Sequence, residues 1–342
     1  MIYCYSPITV CMETRKVQVT GGSTYTVSLP KSWATDNEIE AGSVVEFYPE
    51  DDSLLLTPQG DQERTEGQLD ITDLEETELM RTVVTMYVSG FDIITLTSAR
   101  ITAAQRRAIR QAAQRLVGLE VIGETSEKVS LQDLLDSSEL SVTNAITRMR
   151  LVSLSMLSDA VTALVENDDD LATDVIERDD DVDRLWYMVS RVFRSVLRNP
   201  NAATEVGLPR ETCFDYHSSA RQLERVGDHA TKIAELTLEL DDIPEDAATG
   251  MLDLRSEASS AIEMAMEALL EEDATAATEL GNEARKHVQE IDSLARQADV
   301  IIRDLDPQPA QLLGLIVDSL SRSADYGGNI AETALQNAAP KP

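Results

Sequence analysis

Glu224, Asp228, Thr231 and Glu235 fall within one stretch, Glu224-Arg225-Val226-Gly227-Asp228-His229-Ala230-Thr231-Lys232-Ile233-Ala234-Glu235. On a helix turning about 100° per residue these four side chains project within roughly 60° of one another. They form a row of three carboxylates and a hydroxyl, the hard oxygen donors that a cation needs. A second acidic group, Glu177-Arg178-Asp179-Asp180-Asp181-Val182-Asp183, lies upstream. There Leu171, Val175, Val182, Leu185 and Val189 mark a packing stripe and leave Asp179 and Asp183 on its flank. Two such helices packed antiparallel can face Asp179 and Asp183 toward Glu224 and Asp228. Four close carboxylates cannot all stay ionised without a cation or a raised pKa. Oxygen-only ligation suits Mg, Mn, Ca or oxidised Fe better than a thiolate-seeking metal. In an acidic chain the same spacing also arises from composition and then marks a solvated face. His217, His229 and His287 stand isolated in the sequence and read as surface or core residues, His229 being the one nearest the acidic row.

The elements that must position these residues are helical. From about Leu140 the apolar residues keep a 3.6-residue period, which predicts helices over 140–166, 170–198, 209–240, 245–271, 274–304 and 309–338. Short connections make successive helices antiparallel, giving two up-down-up three-helix bundles, 139–241 and 242–342. Small residues Ala220, Gly227, Ala230 and Ala234 allow close helix approach. The acidic stretch also recurs 97 residues later as Ser321-Arg322-Ser323-Ala324-Asp325-Tyr326-Gly327-Gly328-Asn329-Ile330-Ala331-Glu332. The carboxy-terminal part is therefore a duplication.

These paired signatures resemble the PhoU family, and the resemblance spans residues 140–338. It implies two similar three-helix bundles, metal bound at carboxylate clusters, and negative regulation of phosphate uptake together with a phosphate ABC transporter or a sensor kinase. Carried over by position, the first cluster is Asp179, Asp183, Glu224 and Asp228. The second, at Asp292 and Asp325, is poorer, because Ser321 replaces the glutamate and Val288 stands four before Asp292. Asp318, on the same stripe as Asp325, is a replacement oxygen donor. A bound cation would attract phosphate that bare carboxylates repel, so phosphate is expected to bind only after metal.

Residues 1–60 follow a different pattern. Arg15 to Thr20 and Thr24 to Leu29 alternate apolar and polar residues around Gly21-Gly22, a short helix follows Pro30, and two strands, Val44 to Tyr48 and Ser53 to Thr57, complete a ββαββ order. A unit this small cannot bury an adequate core alone, so two copies should associate. Arg15-Lys16-Val17, Gly21-Gly22-Ser23, Leu29-Pro30-Lys31-Ser32-Trp33 and Gly42-Ser43-Val44-Val45 resemble the SpoVT/AbrB swapped-hairpin family. That resemblance implies an intertwined homodimer and DNA contacts from Arg15, Lys16, Ser23, Thr24, Tyr25 and Lys31. The segment holds three bases against eight acids, which opposes phosphate contacts. A module that only dimerises is the competing reading.

Residues 61–138 read as a polar linker, 61–72, and then a small α/β domain with helices at 74–88 and 102–117 and strands at 92–97, 119–123 and 128–131. Arg100, Arg106, Arg107, Arg110 and Arg115 make its second helix the most basic stretch, either neutralising nearby acids or offering an anion- or partner-binding face.

Sixty-two acidic residues against 29 basic ones, only six of them lysine, give a net charge of −33 and suit solubility in a salt-rich, halophilic cytoplasm. Cys4, Cys11 and Cys213 have no metal or disulfide spacing. No apolar run reaches the length of a membrane span, so membrane insertion is not expected and a cytoplasmic location is. Met12 is an alternative start, with 1–11 as an extension. No nucleophile, phosphate loop or Ser/His/Asp constellation points to an enzyme. The joint architecture is mainly α, with two PhoU-like bundles preceded by a small α/β segment and a β-rich AbrB-like domain. It looks like archaeal phosphate-uptake regulators. The expectation is a homodimeric, DNA-binding regulator; the alternative is one that docks on a transporter ATPase or sensor kinase without binding DNA.

Overall fold

A computed structural model describes residues 13–50, 52–59, 64–135 and 141–340, which form two compact units divided between Glu63 and Arg64. Cys4, Cys11 and Met12 lie outside the described residues.

In the first unit, β1 (Gln18–Thr20) and β2 (Thr24–Thr26) pair antiparallel. Gly21 and Gly22 make the turn at φ +65° and +83°, a region that side chains disfavour. Helix α1 (Lys31–Asp36) follows Pro30, and β3 (Val45–Glu50) pairs antiparallel with β4 (Ser53–Pro58). The first ladder is shorter than the period implied. An uncovered two-stranded ribbon is marginal in water, and the described residues of this unit add no third strand to it. None of this unit's described residues is buried, and Val19, Tyr25 and Phe47 are 60%, 77% and 54% exposed.

The second unit begins with an α/β module: β5 (Glu66–Asp70), α2 (Glu76–Val88), β6 (Ile93–Thr97), α3 (Ala103–Gln114), β7 (Leu119–Glu124) and β8 (Lys128–Asp133). The sheet order is β5-β6-β8-β7, with β5 parallel to β6 and the other pairs antiparallel. Strand β5 corrects the linker expected over 61–72. Its residues alternate, with Gly67 and Leu69 less exposed than their neighbours. A Cβ on Gly67 would stand 2.6 Å from Met86 Cε and 2.8 Å from the Phe91 ring, so this glycine answers a packing need. Two α3 arginines answer an acid, Arg106 and Arg110 holding Glu124 at 3.2 and 2.8 Å, and Arg115 just past the helix meets Asp180 at 2.9 Å. The hydrogen bond from Arg110 holds the Glu124 carboxyl below its ordinary pKa.

The helices of the first bundle are α4 (Val142–Glu166), α5 (Asp169–Glu177), α6 (Asp179–Arg198), α7 (Pro200–Val206) and α8 (Arg210–Thr237). Those of the second are α9 (Glu245–Leu270), α10 (Ala274–Ile302) and α11 (Pro307–Ala338). Their buried faces merge into one hydrophobic core, with α8 against α11 and α4 against α9. The predicted helix 170–198 is two helices, broken at Arg178. That side chain is drawn to Asp159 on α4 at 2.7 Å and to Asp174 at 3.0 Å. The break also places Asp179, Asp180 and Asp181 in the first turn of a new helix, where the helix dipole favours negative charge. In the second bundle a Cβ on Gly327 would lie 3.0 Å from the Ile262 backbone nitrogen, so α11 touches the α9 main chain there. Among the described residues no helix is long and apolar enough to cross a membrane. Cys213 is buried and free.

Candidate metal centre

Helices α6 and α8 pack with Val182 over Gly227, where an added Cβ would stand 3.5 Å from Val182 Cγ1. This close approach sets Asp179 and Asp183 across from Glu224 and Asp228. Thr231 donates to Asp179 Oδ1 at 3.2 Å, and Tyr187 donates to Asp183 Oδ2 at 3.1 Å. Glu224 is buried; Arg221 holds its Oε1, while Oε2 is buried without a hydrogen-bond partner. Asp179 and Asp183 are half-buried, and Asp228 and Glu235 are exposed.

The electrostatics follow from that burial. Desolvation, and then the Asp228 charge, push Glu224 up to about 7. Desolvation and Asp179 push Asp183 up to about 6. Asp179 and Asp228 are raised as well, chiefly by desolvation. Hydrogen bonds and Arg221 offset only part of the cost. A buried carboxylate oxygen without a partner, inside a group of raised carboxyls, is a donor set that fits a hard cation.

The carboxylates of the second half are more exposed. Asp325 is raised by desolvation and by the nearby Asp292 and Asp318, but all three side chains lie on exposed positions. Its neighbour Tyr326 instead meets His229, with 3.3 Å between Tyr326 OH and His229 Nε2. His229 therefore takes part in the contact between α8 and α11, with the Asp318 carboxylate also acting on it. His217 is a core aromatic, 4.4 Å centroid to centroid from Phe193 and 5.0 Å from Trp186, and burial lowers it to about 4.

His287 corrects the reading of isolation. Its Nδ1 is 2.5 Å from Glu257 Oε2. With Glu290 these residues form the one group of three ligating side chains, among the described residues, whose donor atoms lie within 4.8 Å of one another. The carboxylates on α6 and α8 stand wider. Sequence reasoning missed this trio because Glu257 lies on α9, thirty residues before His287 on α10.

A second omission is Arg191. Asp179, Asp183, Tyr187 and Arg191 follow at four-residue steps along one side of α6. Arg191, 7% exposed, donates to Tyr87 O at 2.8 Å and Phe91 O at 3.0 Å and pairs with Asp92 at 2.7 Å and Asp133 at 2.9 Å. One helix thus carries half of the acidic cluster at its beginning and is fastened to the α/β module further on. The proposed DNA contacts lie in the first unit: Ser23, Thr24, Tyr25 and Lys31 are exposed at the hairpin turn and at the start of α1, and Arg15 and Lys16 precede β1, with Arg15 paired to Glu13.

The chain is thus a mainly helical protein of two packed helical bundles, one holding a carboxyl cluster around buried Glu224, preceded by an α/β module and a β-rich unit. Residues 146–237 match the family model of the PhoU domain, and residues 18–63 match that of antidote-toxin recognition MazE, bacterial antitoxin. The "Phosphate-specific transport system accessory protein PhoU homolog 1" of Thermotoga maritima is 32% identical over 120 residues, which cover 34% of this chain and 49% of that one. The "Phosphate-specific transport system accessory protein PhoU homolog" of Pseudomonas aeruginosa is 27% identical over 186 residues, covering 52% of this chain and 74% of that one. The crystal structure of PhoU from Pseudomonas aeruginosa aligns with 57% of this chain and 93% of its own at a TM-score of 0.49 and 24% identity. The chain spans about half the length of the first two curated relatives, 49% and 57%.

Proposed function

We propose that this protein is a homodimeric, non-enzymatic, cytoplasmic regulator of phosphate uptake, negative in sense, of the archaeal and halophilic type that the sequence suggests. Its PhoU-like bundles hold a metal and its first unit binds DNA. The observation that carries the regulatory reading is the cluster of raised carboxyls around buried Glu224 on α6 and α8, which lies inside the segment that matches the PhoU domain. Asp179, Asp183, Glu224 and Asp228 would hold the cation, and Glu224 Oε2 would gain the partner that it lacks. The metal would supply a positive charge to which phosphate can attach. Asp292 and Asp325 form a lesser site. We expect Asp228→Asn to lower metal content on elemental analysis more than Asp325→Asn does. The trio Glu257, His287 and Glu290 is common to both variants and cancels in that comparison; equal or reversed losses would contradict the assignment.

The DNA-binding reading rests on the MazE/AbrB-like match and on a unit none of whose described residues is buried, which a second copy would cover. Its test is affinity for the promoters of phosphate-uptake genes in molar KCl. The Lys16→Glu/Lys31→Glu double variant should bind at least tenfold more weakly. Unchanged binding would reject those contacts. No binding by the unaltered protein would favour the second reading, a dimer that docks on a transporter ATPase or sensor kinase; the relatives' printed description as transport-system accessory proteins supports that reading.

A further inference from the structure

The two halves differ in more than missing carboxylates. Val288 on α10 and Ser321 on α11 occupy the places where the first half has Asp179 and Glu224, so two negative charges are absent. Beside them a cleft of about 520 Å³ opens between α8, α10 and α11. Three arginines from three helices line it: Arg225, Arg285 and Arg322. Arg225 and Arg322 are repeat counterparts, 97 residues apart, brought to one cleft by the packing of α8 on α11. In a chain of net charge −33, convergence of three guanidinium groups is not what composition alone would place there.

The arginines are held loosely enough to accept a ligand. Arg285 meets Glu332 at 3.5 Å and Arg322 meets Asp318 at 3.8 Å, both at the long end for ion pairs and both with exposed side chains. Arg225 lies over the Tyr326 ring, its Cζ 5.6 Å from the centroid, a cation–π contact that holds its guanidinium beside the cleft. Gln289 and Asn329 add amide groups, and Gly328 keeps the α11 wall low. Asp325 and Glu332 also face the cleft, so its formal balance is three positive charges against two negative ones. Guanidinium forks match tetrahedral oxyanions in pairs of parallel hydrogen bonds, a geometric recognition that survives salt better than long-range attraction.

We propose that this cleft binds a phosphate group directly, through Arg225, Arg285 and Arg322, without a metal. The inference does not rest on the carboxylate cluster, and it departs from the sequence-based expectation that phosphate reaches the protein only through a cation.

The test is calorimetry on the full chain, stripped of metal with EDTA, in molar KCl, titrated separately with inorganic phosphate and with tripolyphosphate. One site per chain is expected. Arg285→Gln and Arg322→Gln should each weaken binding at least tenfold, and their exposed side chains can be removed with the helical circular dichroism unchanged. Arg303→Gln, at the exposed end of α10, should bind as the unaltered protein does. The tighter of the two anions shows whether the phosphate is free or chain-linked. Binding of neither at millimolar concentration, equal binding by the Arg285 and Arg322 variants, or equal weakening by Arg303→Gln would overturn the proposal. Metal content measured on the same samples reports the α6–α8 cluster separately from the anion: phosphate binding that persists in samples free of metal supports the cleft whatever becomes of the metal reading, although Asp325 lines the cleft and Arg225 also acts on Glu224 and Asp228.

Discussion

Arg191→Met is expected to destabilise the second unit by about 3 to 5 kcal/mol, the usual cost of removing one partner from a buried ion pair. The methionine keeps much of the volume but leaves Asp133 and Asp92 without their cation and strips the Tyr87 and Phe91 carbonyls of a donor. The Asp133 side chain is 9% exposed, so water cannot fully repair the loss. A urea titration followed by circular dichroism reads the change as a lower midpoint. Proteolysis should cut first within the α/β module, because its fastening to α6 is what the substitution removes. A midpoint unmoved within error would show that the pair contributes nothing net.

The second large effect is a pH dependence of the metal-free protein. Glu224 and Asp183 are raised to about 7 and about 6, so over the interval from the ordinary carboxylate range to near neutrality the folded chain binds more protons than the unfolded chain. Their contribution to stability is complete below the ordinary values and is lost as pH rises through about 7. With partial solvent screening, the loss between pH 5 and pH 8 should be about 2 kcal/mol. Many other carboxylates titrate in this chain, so the informative quantity is the difference from Glu224→Gln, whose amide cannot ionise. The variant should show a flatter stability profile, and adding a divalent cation should restore the unaltered protein at pH 8. Parallel profiles for the two proteins would refute the assignment of Glu224.

The sequence showed the bundles clearly because a 3.6-residue apolar period, Asp and Asn caps and Pro307 mark the helix ends chemically. It also marked where the second half departs from the first, since Ser321 and Val288 stand where the first half has Glu224 and Asp179. The break at Arg178 left no such mark: no proline or glycine stands there, and the ion pair that accompanies it runs to a residue nineteen positions away on α4. Strand β5 was obscured for the opposite reason. Gly67 looks like flexibility in one dimension and is a spatial requirement under Met86 and Phe91. Arg191 resembles any other helix arginine until the carbonyls of Tyr87 and Phe91, about a hundred residues earlier, are placed against it. Long-range polar contacts carry no period, so neither Arg191 nor the trio around His287 could be read from spacing.

The four-residue steps along α6, from Asp179 through Asp183 and Tyr187 to Arg191, have a thermodynamic consequence. At 1.5 Å per residue the two ends are about 18 Å apart, joined by one continuous hydrogen-bonded helix. Whatever factor a cation at the first end adds to the docking of the α/β module at the other, docking must add the same factor to the affinity for the cation. Loosening the module by Arg191→Met would then measure, from the far end, how much of the metal's binding energy is shared.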